Sequence, residues 1–166
     1  MIGLLPRGNH VCGGMEFVKQ QGAATEADWS AVLLGAEAAA ERSVHRVYFP
    51  NPKAALLVAP DTNLWLPWGR RREQPGDWPE GGWARAENLG KGYWLRWHPE
   101  RVVVHPVRWM EKDRHRASRW FELAPGQGIL CLRLDAAPGT PLYVVTRPAE
   151  GDYLADIHDR MPELVD

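Results

Sequence analysis

Two side chains able to act as a nucleophile or exchange a proton near neutral pH lie near opposite ends of the chain. Cys12 stands in "VCGG", where the two glycines leave its sulfur uncrowded, and it becomes a nucleophile if a cation or base favours the thiolate. His158 lies between Asp156 and Asp159 in "DIHDRMP", and histidine is the residue type best suited to proton transfer in neutral solution. The alternatives are a gap-filling cysteine and a surface histidine.

Glu111 is the third candidate for chemistry. It follows a tryptophan and a methionine in "RWMEKD", where burial would raise the pKa of its carboxyl toward that of a useful general acid or base. His10 and Cys12 could suggest a metal, but a zinc site needs three or four ligands at recognisable spacing. No phosphate-binding glycine loop is present. We therefore expect no metal and no cofactor.

The length of the chain limits it to one domain with a real core. It has 166 residues, of which 45% are hydrophobic and 25% charged, with a formal net charge of −1. The opening "MIGLLPRGNH" lacks the apolar run of a signal peptide, and no segment has the length of a membrane span. We expect a cytoplasmic monomer that does not enter membranes. Cys131, in "GILCLRL", is expected to be a buried structural residue.

Positive charge and tryptophan are concentrated in the middle of the chain. Residues 70–119 hold 12 Lys and Arg against 7 Asp and Glu, although the whole chain carries a charge of −1. Eight of the nine tryptophans fall in or beside this stretch: Trp65, Trp68, Trp78, Trp83, Trp94, Trp97, Trp109 and Trp120. Cations that follow phosphates, interleaved with rings that stack on bases, are typical of single-stranded nucleic acid sites. The alternative is a small β domain with a tryptophan-rich core.

Hydrophobic patterns predict a mixture of strands and helices. "TEADWSAVLLGAEAAAERS" opens with a capping box and predicts a helix over 26–42. Strands are predicted at 44–49 and 54–59 and in the runs "RVVVHPV", "RWFEL", "GILCLRL" and "PLYVVT". After Pro148, "AEGDYLADIHDRMP" predicts one short helix ended by its proline. These elements favour an α+β fold containing a sheet or partly closed barrel.

Several short motifs occur in an order that is similar to one protein family. They are "CGG", "YFPNP", "PWG", "WARAEN", "VVVHPVRWMEKD" and "VVTRPAEGDYLADIHDRMP". Together they resemble the SOS-response-associated peptidase (SRAP) family, and the last motif carries the resemblance most specifically. The resemblance implies a single SRAP-like α+β domain over 12–166, with a bifurcated, partly barrel-like, mainly antiparallel sheet and peripheral helices.

The resemblance also implies an activity, which is covalent capture of abasic sites in single-stranded DNA. In this family the amine and thiol of an N-terminal cysteine attack the ring-opened sugar aldehyde, and the product closes to a thiazolidine. By motif, Cys12 would be the nucleophile and His158 would handle protons. Glu111 would position or protonate the reacting atoms.

The same resemblance implies which side chains contact DNA. Arg85 in "WARAE" and Arg160 in "HDRMP" would hold phosphates that flank the lesion. "PWGRRRE" would keep a wedge tryptophan and add positive charge, while Trp83 stands where the family has an asparagine. The expected DNA-binding residues are Trp68, Arg70, Arg71, Trp83, Arg85 and Arg160.

A thiazolidine requires a free α-amino group on the cysteine, yet the sequence places that nitrogen in the Val11–Cys12 amide. A GTG start codon translated as valine would explain "VCGG", so residues 1–11 are expected to be a disordered or misassigned leader. Removal of the leader by the protein itself is the alternative. Two other functions stay open: a noncovalent single-stranded nucleic-acid-binding module, and a peptidase that uses Cys12 with His158 and Glu111.

Overall fold

A computed structural model describes residues 13–19, 43–135 and 137–166. The predicted leader 1–11, Cys12 and the predicted helix 26–42 lie outside the described residues. The first strands are β1 (Gly14–Lys19), β2 (Ser43–Tyr48), β3 (Ala55–Ala59), β4 (Leu64–Pro67), β5 (Trp83–Arg85) and β6 (Glu100–Val104). Then come β7 (Arg108–Lys112), β8 (Ser118–Glu122), β9 (Gly128–Arg133), β10 (Leu142–Pro148), β11 (Arg160–Pro162) and β12 (Leu164–Val165). The helices are a 3-10 turn (Ala86–Asn88), α1 (Gly92–Leu95) and α2 (Gly151–Asp156).

The described chain is mostly antiparallel β-sheet with few helices, which agrees with the expected α+β class. One sheet has the order β2-β1-β7-β8, and β3 pairs with β4 in a separate hairpin. The larger sheet has the path β11-β10-β9-β12, with β6 added beside β9 and β5 beside β10. Among the named strand pairs, only β5 with β10 is parallel. The strands predicted from "VHRVYF", "AALLVA" and the four later runs are all confirmed.

Strands β9 and β10 form the centre of the larger sheet and are buried on both faces. Ile129, Cys131 and Val144 belong to one hydrophobic cluster, while Leu130 and Tyr143 belong to a second. This division follows from the strand geometry, because successive side chains point to opposite faces. Cys131 is fully buried, as predicted, and burial raises the pKa of its thiol far above the ordinary value. It is therefore a structural residue.

The prediction of one helix running from after Pro148 to the final proline is wrong. Helix α2 ends at Asp156, and Arg160–Pro162 form strand β11 instead. That strand pairs with the end of β10, with Arg160 opposite Pro148 and Pro162 opposite Thr146. Pro162 also disfavours helical geometry in the residue before it, so pairing with β10 is more stable for this segment than continuing the helix. His158 therefore lies in the bend between α2 and β11.

A tight turn at Gly69 sets the path of the segment that precedes β5. Gly69 has a φ of 60°, and its amide donates a 2.7 Å hydrogen bond to the carbonyl oxygen of Leu142. A Cβ atom built at this position would collide with the Gly81 carbonyl and lie 2.6 Å from the Cα of Gly82. Only glycine fits here without movement of the backbone.

We expect Gly69→Ala to lower the free energy of unfolding by about 2 kcal/mol or more, because it combines backbone strain with overpacking. Gly90→Ala is the matched control, since no heavy atom lies within 4 Å of a Cβ at that exposed position. Urea unfolding of the full chain measures both. Equal stability for the two variants would contradict the close approach at Gly69.

Candidate functional site

A cavity of about 780 Å³ brings together residues from distant parts of the sequence, and we call it the principal cavity. Its walls include Gly13, Trp83, Glu111 and His158, which come from four of the sequence motifs. The volume falls in the range of small-ligand sites. Two of the three predicted catalytic residues therefore line one cavity, and the third, Cys12, is outside the described residues.

Strand pairing holds the start of the described chain in the cavity wall. The amide of Gly13 donates a 2.7 Å hydrogen bond to the carbonyl oxygen of Met110, and the carbonyl of Gly13 accepts one of 3.1 Å from the amide of Phe49. The next residue, Gly14, pairs with both Met110 and Tyr48. Gly13 is thus fixed on both sides, and a peptide bond joins it to Cys12 in the sequence.

Glu111 lies on β7 beside this ladder and is 3% exposed. Burial disfavours its charged form and raises the pKa of its carboxyl to about 8, although the amide of Lys112 donates a 3.1 Å hydrogen bond to Oε1. At neutral pH the carboxyl is therefore mostly protonated. A protonated carboxyl in a cavity wall can donate a proton, and its conjugate base can take one back.

His158 is held at Nδ1 by contacts that need different protonation states. The amide of Arg160 lies 3.1 Å from Nδ1, which must then act as an acceptor. Oδ1 of Asp159 lies 2.8 Å from the same nitrogen, which must then carry a proton. A change in the protonation of the ring thus changes the partner of Nδ1. Both contacts involve Nδ1, and neither of them involves Nε2.

Trp83 forms an aromatic wall of the principal cavity. It begins β5, opposite Val144 of β10, and its ring centre lies 4.4 Å from that of Phe49. A second neighbouring ring, that of Trp68, lies 6.0 Å away. Trp83 is partly exposed, so its ring can contact a ligand as well as its neighbours.

Trp68 does not have the exposed position expected of a wedge between bases. It is fully buried in the first hydrophobic cluster, and its Nε1 donates a 3.1 Å hydrogen bond to the carbonyl of Gly82. A base cannot reach a ring that is wholly covered by protein. Trp68 is therefore a core residue, and the sequence alone could not separate it from the partly exposed tryptophans such as Trp83.

Arg70 and Arg71 also bond to the protein itself rather than extending toward a ligand. Arg70 donates from Nε to the carbonyl of Trp78 over 2.6 Å and from Nη1 to that of Gln74 over 2.8 Å. Arg71 donates to the carbonyls of Trp68 and Phe49 and lies over the Phe49 ring, and desolvation lowers its pKa. The hydrogen bonds of these two arginines stabilise the loop between β4 and β5. Their guanidinium groups are therefore engaged by backbone carbonyls instead of being directed toward a phosphate.

The guanidinium of Arg160 is similarly committed to internal partners. It makes two 2.8 Å hydrogen bonds to the carboxylate of Glu87, and its Nε donates to Oγ1 of Thr146 over 3.1 Å. Arg160 in turn lowers the pKa of Glu87 to about 2. This pair ties β11 to the turn after β5. Among the arginines predicted to bind DNA, Arg85 is the one whose side chain is exposed.

Sequence reasoning missed two cations that line the principal cavity, Lys112 and Arg116. They belong to the hairpin between β7 and β8, whose tip is held by Asp113. The Oδ1 atom of Asp113 accepts 2.9 Å hydrogen bonds from the amides of His115 and Ala117. The available signal was the cluster of charges in "EKDRHRASR". A proton donor, a histidine, an aromatic wall and two cations therefore surround one cavity.

Comparison with known proteins adds no relative: no family model matches the chain, and no curated protein or solved structure is found to be similar to it. Within the part of the chain that the structure describes, no three His, Cys, Asp or Glu residues are grouped to hold a metal ion. No helix in residues 13–19, 43–135 and 137–166 is long and apolar enough to cross a membrane. The site must therefore be interpreted from its own geometry.

The raised pKa of Glu111 predicts how stability depends on pH. Between pH 4.5 and about 8 the folded chain keeps this proton while the unfolded chain loses it. The free energy of unfolding should therefore fall with rising pH by up to roughly 1.4 kcal/mol per pH unit from this group. Glu111→Gln should flatten the decline, as measured by urea unfolding across this range. A decline of the same slope in the variant would show that Glu111 is not its source.

The contacts of Arg160 predict a structural effect on substitution. Arg160→Lys keeps the charge but cannot reproduce the double contact with Glu87, so we expect a loss of about 1 to 3 kcal/mol in unfolding free energy. Arg85→Lys, at an exposed position, should change stability by less than about 0.5 kcal/mol. Thermal unfolding compares the two. An Arg160→Lys variant with unchanged stability and weakened oligonucleotide binding would instead favour the role in phosphate binding.

Proposed function

We propose that this chain is a SRAP-like protein that binds single-stranded DNA and captures abasic sites covalently through Cys12. The observation that carries the proposal is the principal cavity, where Gly13, Glu111 and His158 meet although they come from distant parts of the chain. The mainly antiparallel sheets are compatible with a bifurcated, partly barrel-like SRAP-like fold. We propose that the chain acts as a monomer in the cytoplasm.

The proposed reaction requires Cys12 to be the first residue of the active chain. Its α-amine adds to the aldehyde carbon of the ring-opened sugar, and loss of water gives an imine. The thiol then adds across the carbon–nitrogen double bond, with sulfur bonding to carbon and a proton passing to nitrogen. The product is a thiazolidine, and water is the only molecule released. No oxidant, metal or cofactor is required.

Glu111 and His158 fit the proton transfers that this reaction needs. Opening the sugar ring and expelling water each require a proton to be delivered to oxygen. A Glu111 carboxyl with a pKa near 8 is protonated at neutral pH and can supply it. His158 can remove a proton from the amine or the thiol, and its contact with Asp159 would then stabilise the charged ring.

The proposed DNA contacts differ from those expected by motif. Lys112 and Arg116 stand at the cavity itself and Arg85 is exposed, so these three cations are our candidates for phosphate binding. Trp83 offers a partly exposed ring in the same cavity, where a base neighbouring the lesion could stack. The family's asparagine is replaced here by that ring, so its hydrogen bond must come from another group or be absent.

A second candidate function is noncovalent binding of single-stranded nucleic acid. It is favoured by the Val11–Cys12 amide, which leaves Cys12 without a free amine in the sequence as written. The cavity cations do not depend on that amine. Such binding would survive Cys12→Ala and weaken with rising salt, because phosphate contacts release counterions.

We expect a chain that begins at Cys12 to form a stable adduct with an oligonucleotide carrying one abasic site. The mass should increase by that of the oligonucleotide less one water, because imine formation expels water and ring closure expels nothing. Intact mass spectrometry measures this. The 166-residue chain should give no adduct while Val11 blocks the amine.

Two variants of the shortened chain serve as controls. Cys12→Ala should form no stable adduct yet keep its affinity for an intact strand, and Cys12→Ser should give at most a slower and less stable product. A stable adduct on Cys12→Ala would exclude Cys12 as the nucleophile. Absence of any adduct on the unsubstituted short chain would move the assignment to noncovalent binding.

A further inference from the structure

A second cavity, of about 360 Å³, lies beside the principal cavity between β2 and the β3–β4 hairpin. Of its residues, Tyr48 and Asn51 belong to the motif "YFPNP", and Tyr48 lines both cavities. Tyr48 is 42% exposed, so it is part of the surface between them. A ligand that extends out of the principal cavity past Tyr48 would reach the second cavity next.

The second cavity has a fixed aromatic wall. The indole Nε1 of Trp65 donates a 2.9 Å hydrogen bond to Oδ1 of Asn63, and its ring packs edge-on against Phe17 at 5.5 Å. The exposed imidazole of His45 lies 5.1 Å from the same ring. Because the ring is held on more than one side, stacking a base against it would cost little side-chain entropy.

Two cations face this cavity alongside the ring. Lys53 is exposed, and its backbone amide donates a 2.9 Å hydrogen bond to Oδ1 of Asn51, which fixes the turn that carries it. Arg46 bonds to Glu16 over 2.6 Å, but 53% of its side chain remains exposed. The arrangement is cationic and aromatic, which suits a phosphate joined to a base.

We propose that the second cavity binds another nucleotide of the single strand whose abasic site occupies the principal cavity. In this arrangement the base stacks on Trp65 beside His45, and Lys53 with Arg46 holds a phosphate. The volume lies within the range of small-ligand sites. The proposal rests on the proposed function for the presence of a strand, but not on the covalent step. A second nucleotide site would explain why cationic and aromatic side chains are found in the second cavity as well as in the principal cavity.

The test compares Lys53→Glu with Lys91→Glu, which makes the same charge change at an exposed lysine that lines neither cavity. Each variant is titrated with a labelled trinucleotide centred on an abasic analogue and with a longer strand centred on the same analogue. We expect Lys53→Glu to weaken binding of the longer strand by about tenfold and to leave the trinucleotide nearly unchanged. Lys91→Glu should alter neither affinity by more than about twofold.

A second pair of measurements tests the two parts of the site separately. Lys53→Ala should reduce the slope of log affinity against log salt by about 0.7 for the longer strand, as expected for one lost phosphate contact. Trp65→Leu keeps an apolar side chain against Phe17 but removes the stacking face. It should also weaken the longer strand by about tenfold, with thermal unfolding used to establish that it folds.

Equal effects of Lys53→Glu and Lys91→Glu on the longer strand would overturn the proposal, because they would reflect overall charge alone. Equal weakening of the trinucleotide and the longer strand by Lys53→Glu would also overturn it, since Lys53 would then act at the principal cavity. Failure of the covalent step is recognised separately, as absence of an adduct between the chain that begins at Cys12 and a trinucleotide with a natural abasic site, whose ring-opened sugar supplies the aldehyde. That result would leave the comparison of strand lengths intact.

Discussion

The amide of Gly13 donates a 2.7 Å hydrogen bond to the carbonyl of Met110, where β1 begins beside β7. This pairing places the residue after Cys12 one position away from Glu111 along the neighbouring strand. The same strand β1 pairs with β2 on its other edge, which brings Tyr48 and Phe49 to the cavity. Without this double pairing, the beginning of β1 and the buried carboxyl would have no fixed relation.

The charge state of each ionisable group at the site depends on its exposure to water. Glu111 is buried and keeps its proton to a pH of about 8, whereas Lys112 on the same strand is exposed. A neutral acid thus lies beside a cation at one cavity. This arrangement suits a reaction that needs a proton at the sugar and positive charge at the flanking phosphates.

The sequence predicted strands better than it predicted the roles of charged and aromatic side chains. Runs such as "GILCLRL" are strands because their β-branched and apolar residues fit a buried sheet. Strand β7 was missed, since three consecutive buried residues, Trp109, Met110 and Glu111, obscure its alternation. The family resemblance implies DNA contacts for Trp68 and Arg160, because a motif cannot show that a ring is covered or that Glu87 is the partner of an arginine distant in sequence.

The most direct test of the account is an experimental structure of the chain that begins at Cys12. The account predicts that Sγ of Cys12 lies in the principal cavity, within direct or one-water hydrogen-bonding reach of Glu111 or His158, a separation of about 3 to 5 Å. A sulfur more than about 10 Å from both groups, with ordered chain between them, would contradict the account because no proton could pass directly between them.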